Sequence, residues 1–218
     1  ATFLNLNVPS VTTSAPWQVS GTGTLTMVGP ASISQLTLAG GTITGNADLD
    51  VTTSFSSTGG LLAGDGLLTL SGASTLSGNL NLVRNLTNQG TLTNSGVVTN
   101  STTFVNNGTF TNTGSLVNNA VMTNTGTFEL ASGSAVSGTG AWSNAGTLLK
   151  SGTGDATVAQ GNAFSNSAPA TIQVDGGNLI FDTGTFTNNL GAIKLASGTS
   201  LATSDSDFAS SGTISGSG

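Results

Sequence analysis

The 218-residue chain carries three Lys and Arg against nine Asp and Glu, and its charged share of 6% is far below the roughly 25% of ordinary soluble domains. Cys and His are both absent, which excludes disulfides, thiol chemistry, imidazole metal ligation and His-based general bases. With a net charge of −6 and only Arg84, Lys150 and Lys194 positive, no nucleic-acid surface is expected.

A hydrophobic share of 36% still supplies a thin continuous core, so the length suits one domain or one segment of a long solenoid. No apolar run approaches the length of a membrane span. The start at Ala1 fits a mature product after signal-peptide cleavage, and equally a fragment of something larger.

Residues 1–20 read as an irregular edge. Leu4, Leu6 and Val8 alternate as an opening strand ended by Pro9, and Trp17 after Pro16 reads as a packing residue over the first coil. A sugar-stacking role for Trp17 has no partner motif. Residues 21–84 read as coils of about twenty residues. GGTITG at Gly40–Gly45 recurs as GGLLAG at Gly59–Gly64. Between such phrases stand short alternations: Leu36-Thr37-Leu38, Leu49-Asp50-Val51, Leu68-Thr69-Leu70 and Leu80-Asn81-Leu82. Strand triplets separated by Gly and Ser at this spacing predict a β-helical stack.

Residues 85–130 form a block of six-residue repeats: NLTNQG, TLTNSG, VVTNST, TFVNNG, TFTNTG, SLVNNA, VMTNTG, TFEL. The second place is always apolar: Leu86, Leu92, Val98, Phe104, Phe110, Leu116, Met122, Phe128. The fourth is Asn: Asn88, Asn94, Asn100, Asn106, Asn112, Asn118, Asn124. The sixth is usually Gly. A six-residue period gives no helical face, and Gly and Asn in every turn oppose a helix. A short strand and a tight corner fit instead, with Thr pointing one way and the apolar residue the other. Asn and Gly are expected at the corners because both tolerate a left-handed backbone. Stacked copies bury what one copy cannot. Stacking sets like residues about 4.8 Å apart, so the Asn side chains are expected to form ladders and the apolar ones a core stack. Each coil takes two or three of these units.

Residues 131–218 return to looser coils. Trp142, Leu148, Leu149, Ile172-Gln173-Val174, Leu179-Ile180-Phe181, Phe186 and Ile193-Lys194-Leu195 are spaced like strand residues. No stretch reads as a capping helix. A bare coil exposes apolar core and unpaired strand edges, so the ends are expected to stack on further chain or on another copy.

The phrases LTLAGGTITGNADLDVT, LTLSGASTLSG, LTNQGTLTNSG, VNNGTFTNTG and WSNAGTLLKSGTGDATV resemble the β-strand repeats of large bacterial exported proteins, namely autotransporter passengers and filamentous-haemagglutinin-like adhesins. The resemblance runs from about Gly21 through most of the chain. It implies an all-β chain folded as one right-handed parallel β-helix, displayed outside the bacterial cell. A left-handed hexapeptide β-helix is the other fold weighed. Asn at +2 and Gly at +4 from the apolar place fit that fold less well, and the twenty-residue coils do not fit it.

Function follows from architecture more than from chemistry. The first expectation is a structural, non-enzymatic rod, without cofactor or metal, forming a surface fibre by head-to-tail association with itself. The second is a stalk or passenger segment continuing into a larger adhesin, with a glycan or host surface as possible partner. Recurring Thr triplets (Thr24/Thr26, Thr42/Thr44, Thr91/Thr93, Thr109/Thr111, Thr185/Thr187) raise an ice-binding array as a third. Carboxylate pairs Asp48/Asp50 and Asp205/Asp207 raise a polysaccharide-cleaving β-helix as a fourth, although no cation or His neighbours them in sequence. Asp65 in GLLAGDG resembles a Ca²⁺-binding repeat that does not recur.

Overall fold

The computed structural model describes residues 3–6, 10–161, 164–182, 186–204 and 209–218. Val8, Pro9, Asp205 and Asp207 lie outside them.

The hexad dictates the local geometry. In Thr91–Asn94, Thr109–Asn112 and Ser115–Asn118 the second and fourth residues are buried, while the first and third face outward. This is the period-two alternation of an extended strand with one face in the core. Three hexads make one coil. Leu86 stands under Phe104, Leu92 under Phe110 and Val98 under Leu116, all in parallel register. The result is an all-β solenoid of about 10 turns, with no helix among the described residues.

Each coil presents three faces. In the hexad block they are represented by Leu86–Asn88, Thr91–Asn94 and Val97–Asn100, here called the first, second and third face. Earlier coils keep the same faces but merge their strands. Trp17–Met27, Ala31–Gly45, Leu49–Leu62 and Ala73–Leu82 each round a corner without a break. The segment expected to be irregular already belongs to this stack. Phe3–Leu6 pairs with residues 24–27, and Val11–Thr13 with residues 31–33. Trp17 is partly buried and packs on the core.

The eight apolar hexad residues are all buried, and they sort into three columns rather than one. Leu86, Phe104 and Met122 lie behind the first face, Leu92, Phe110 and Phe128 behind the second, and Val98 and Leu116 behind the third. From Phe104 to Phe186 aromatic rings continue the core, with neighbouring centroids 4.7–5.4 Å apart. Tilted and edge-on pairs at such distances add about 0.5–1.5 kcal/mol each beyond burial.

Glycine serves two different needs. Gly40, Gly41, Gly59 and Gly60 hold positive φ (+83°, +75°, +136° and +125°) at the corner between second and third faces. The hexad glycines do not have this conformation, which corrects the expectation of a left-handed corner there. Their reason is close stacking. A Cβ on Gly108 would lie 2.1 Å from the Gly90 carbonyl oxygen, and one on Gly126 would lie 2.0 Å from that of Gly108. Only a residue without a side chain lets successive corners approach this closely.

Candidate functional site

The fourth hexad place builds a continuous polar ladder inside the solenoid. Every ladder Asn from Asn88 to Asn124 is buried, on the inner side of its strand. Behind the first face, each Nδ2 donates to the Oδ1 of the next coil. Asn88 donates to Asn106, Asn106 to Asn124, Asn124 to Asn144, Asn144 to Asn166 and Asn166 to Asn189, at 2.7–2.8 Å. The run ends where Asn189 donates to the Ser210 hydroxyl at 2.9 Å. The other amide hydrogen turns to backbone. That of Asn106 reaches the carbonyls of Gly108 (3.3 Å) and Thr127 (2.8 Å), so one side chain ties its own corner to the next coil. Two shorter ladders stand behind the other faces, Asn94 to Asn112 and Asn100 to Asn118, each at 2.7 Å.

The hexad block announced Asn88, Asn94, Asn100, Asn106, Asn112, Asn118 and Asn124, but not Asn144, Asn166 and Asn189. The signal for these three was present as Trp142-Ser-Asn, Phe164-Ser-Asn and Phe186-Thr-Asn-Asn, which keep an apolar residue ahead of Asn. Longer corners hid it by stretching the step between rungs from 18 residues to 20, 22 and 23.

The ladders have a direction, and their first rungs differ. Asn94 Oδ1 accepts from the Gly96 amide at 3.1 Å, and Asn100 Oδ1 from the Thr102 amide at 3.3 Å. Asn88 Oδ1 is buried without a donor, facing the apolar column that contains Leu70.

Two of the three cations are interior. Lys150 occupies the Asn place behind the second face, two coils beyond Asn112. Its Nζ donates to the carbonyls of Gly152 and Gly176 at 3.0 Å and of Ser151 at 2.5 Å. It thus binds two corners together, as an Asn amide does. Burial holds its pKa below the usual lysine value, with Asp155 partly opposing. Arg84 is buried at the corner before the first face. Nη1 donates to Gly45 O (3.1 Å) and Ala63 O (3.3 Å), and Nη2 to Ala47 O. Gly66 makes its room, since a Cβ there would meet Nη2 at 2.5 Å. Burial lowers the Arg84 pKa while Asp48 opposes the shift. Lys150 Nζ and both Nη atoms of Arg84 donate to backbone carbonyls inside the solenoid, while Arg84 Nε is buried without a partner.

Asp48 and Asp50 flank buried Leu49 and line an open pocket of about 260 Å³ on the first face, with Ser32 and Thr69. The Asp48 carboxylate accepts from the Leu67 amide at 2.8 Å, and that of Asp50 from the Ser71 hydroxyl at 3.3 Å. These bonds tie each carboxylate to the neighbouring coil. Asp65 is exposed. No group of three His, Cys, Asp or Glu stands together among the described residues.

The Thr triplets divide between faces. Thr24/Thr26 stand beside Thr42/Thr44 on the third face, and Thr91/Thr93 beside Thr109/Thr111 on the second. On the second face the next residues in line with Thr111 are Glu129, Leu149 and Gln173, while the other column continues through Thr127, Thr147 and Thr171. Thr185 and the side chain of Thr187 lie outside the described residues.

No family model, no curated protein and no solved structure matches the chain.

Proposed function

We propose that this chain is a structural rod of the bacterial cell exterior, a subunit or segment of a surface fibre, and that it has no enzymatic role. The observation that carries this reading is the continuity of its inner stacks. The ladder from Asn88 to Ser210 and the aromatic run from Phe104 to Phe186 link successive coils along most of the axis. Such stacks stiffen a quasi-one-dimensional molecule along its length. The buried roles of Arg84 and Lys150 fit the same reading, because cationic side chains are used to tie corners. The exterior location rests on the resemblance of the repeats to exported bacterial proteins.

Electron microscopy of the purified protein at neutral pH tests the rod. About 10 turns at about 4.8 Å give a length of about 50 Å. Uniform fibres one coil stack wide support a self-assembling subunit. Discrete rods near that length support a stalk segment of a larger adhesin. Round compact particles overturn both. Antibody labelling of intact, unpermeabilised cells tests the location, and label found only after lysis overturns it.

A further inference from the structure

The corner between the second and third faces recurs in successive coils at residues 131–134, 151–155, 175–177 and 196–199. In the first and last of these a buried hydroxyl closes it. Ser134 Oγ donates to Ala131 O at 2.8 Å, and Thr199 Oγ1 to Ala196 O at 2.8 Å and to Val174 O at 3.2 Å. The residue in line with Ala131 and Ala196 in the second corner is Ser151, and its carbonyl accepts from Lys150 Nζ instead.

We propose that the two middle corners together form a receptor for one small monovalent cation of the ammonium class, and that Lys150 fills it with its own side chain. Three carbonyl oxygens converge there, from Ser151 and Gly152 in one corner and Gly176 in the next, at 2.5–3.0 Å from Nζ. Glycine sets them in place. Gly152 holds φ +72°, the left-handed turn that glycine adopts without a steric cost. A Cβ on Gly176 would lie 2.6 Å from Gly152 O, so a side chain there would hold the two corners apart.

The chemistry of the site selects its occupant. An ammonium has three N–H donors and no acceptor, and it meets three acceptors here. A hydroxyl has one donor, which is what Ser134 and Thr199 supply at their own corners. Converging carbonyl dipoles take the place of water around a monovalent ion. Ca²⁺ and Mg²⁺ ask for about six or more oxygens, carboxylates among them. Asp155 lends a favourable charge, but its Oδ1 is already engaged by Asn178 Nδ2 at 2.7 Å. Lys150 is fully buried, so a neutral, donor-free side chain in its place would leave these carbonyls with neither an ammonium nor bulk water to meet them.

Lys150→Ala empties the receptor, because the part of the side chain it removes is the part that n-propylammonium reproduces. Its midpoint in chemical denaturation is expected to fall below that of the parent protein. Added n-propylammonium chloride, at constant ionic strength and with the parent's own response subtracted, should raise that midpoint in a saturable way. 1-Propanol, of the same length but uncharged, should restore little. Equal recovery with 1-propanol, or none with either, overturns the receptor. A second measurement needs no variant. Lys150 and Lys194 are the only lysines, so ¹⁵N-lysine labelling gives two Nζ signals in the parent protein. At neutral pH the Lys150 signal is expected to couple to three hydrogens and to exchange them with water on the order of tenfold more slowly than exposed Lys194. Coupling to two hydrogens at Lys150, or equal exchange at both, overturns a caged ammonium.

Discussion

Asn106 shows what a buried amide does in this molecule. Its Oδ1 receives Asn88, its Nδ2 serves Asn124, and the remaining hydrogen ties two corners. Asn106→Leu keeps the shape but leaves one Asn88 amide hydrogen and the Asn124 Oδ1 buried and unpaired. Each orphan costs about 1–3 kcal/mol, so the variant is expected to lose several kcal/mol in chemical denaturation. Asn88→Leu is the contrast. Asn88 already holds an orphaned Oδ1 against the apolar column below, and leucine extends that column. The unpaired acceptor merely moves up one rung to Asn106. Asn88→Leu should therefore be milder than Asn106→Leu by about 1–3 kcal/mol. Equal losses would show that the ladder has no end effect.

Lys150 gives a pH dependence at the same scale. Its pKa is lowered in the folded state by burial, with Asp155 opposing. As pH rises past the folded value towards the unfolded one, the unfolded chain holds the extra proton, so stability increases with pH. The sequence has no His, Cys or Tyr side chain to titrate in this range. The denaturation midpoint is expected to climb as pH rises through the range below the ordinary lysine pKa near 10.4. Lys150→Met should flatten that climb, and a falling midpoint in the parent protein would contradict the assigned sign.

The strand and its corner are where sequence reading succeeded and where it stopped. Alternation within the hexad placed the apolar residue and Asn on one side of a strand, because period two leaves no other choice for Thr-Φ-Thr-Asn. Three hexads per coil were not legible, because stacks of two or three units both set Asn on Asn. Nor was the burial of Lys150, although TLLK repeats the shape of TFTN, because a lysine ordinarily signals the surface. The reason for the hexad Gly was misread in the same way. Sequence shows that a corner needs Gly, but the carbonyl that excludes a Cβ belongs to a residue 18 positions away. Gly108→Ala tests this at element scale. The methyl would sit 2.1 Å from Gly90 O, so corners must separate, and a loss above about 3 kcal/mol is expected. Gly133 has φ +73° and nothing within 4 Å of an added Cβ. Gly133→Ala should lose only the backbone strain, about 1–2 kcal/mol. If the two variants denature alike, stacking distance is not what selects Gly in the hexads.

At the scale of the whole molecule, a solenoid coil is held by two neighbours, except at its ends, where one is missing. Amide exchange in the single rod should follow that difference. The centre, around Phe110 and Phe128, has buried apolar residues, paired Asn and stacked rings on both sides. Its amides are expected to be the slowest to exchange. The strand Thr213–Gly216 pairs with Ala192–Leu195 on one side only, and Ile214 stands open. Its amides should exchange fastest among the strands. In fibres the same strand gains a second partner, so protection there should rise by at least tenfold, while the centre stays as it was. Exchange followed by mass spectrometry, on rods and fibres side by side, reads both effects. A rise confined to outward-facing residues such as Thr109 and Thr127 would mean that rods associate side by side, and that the coil ends are not the adhesive surface.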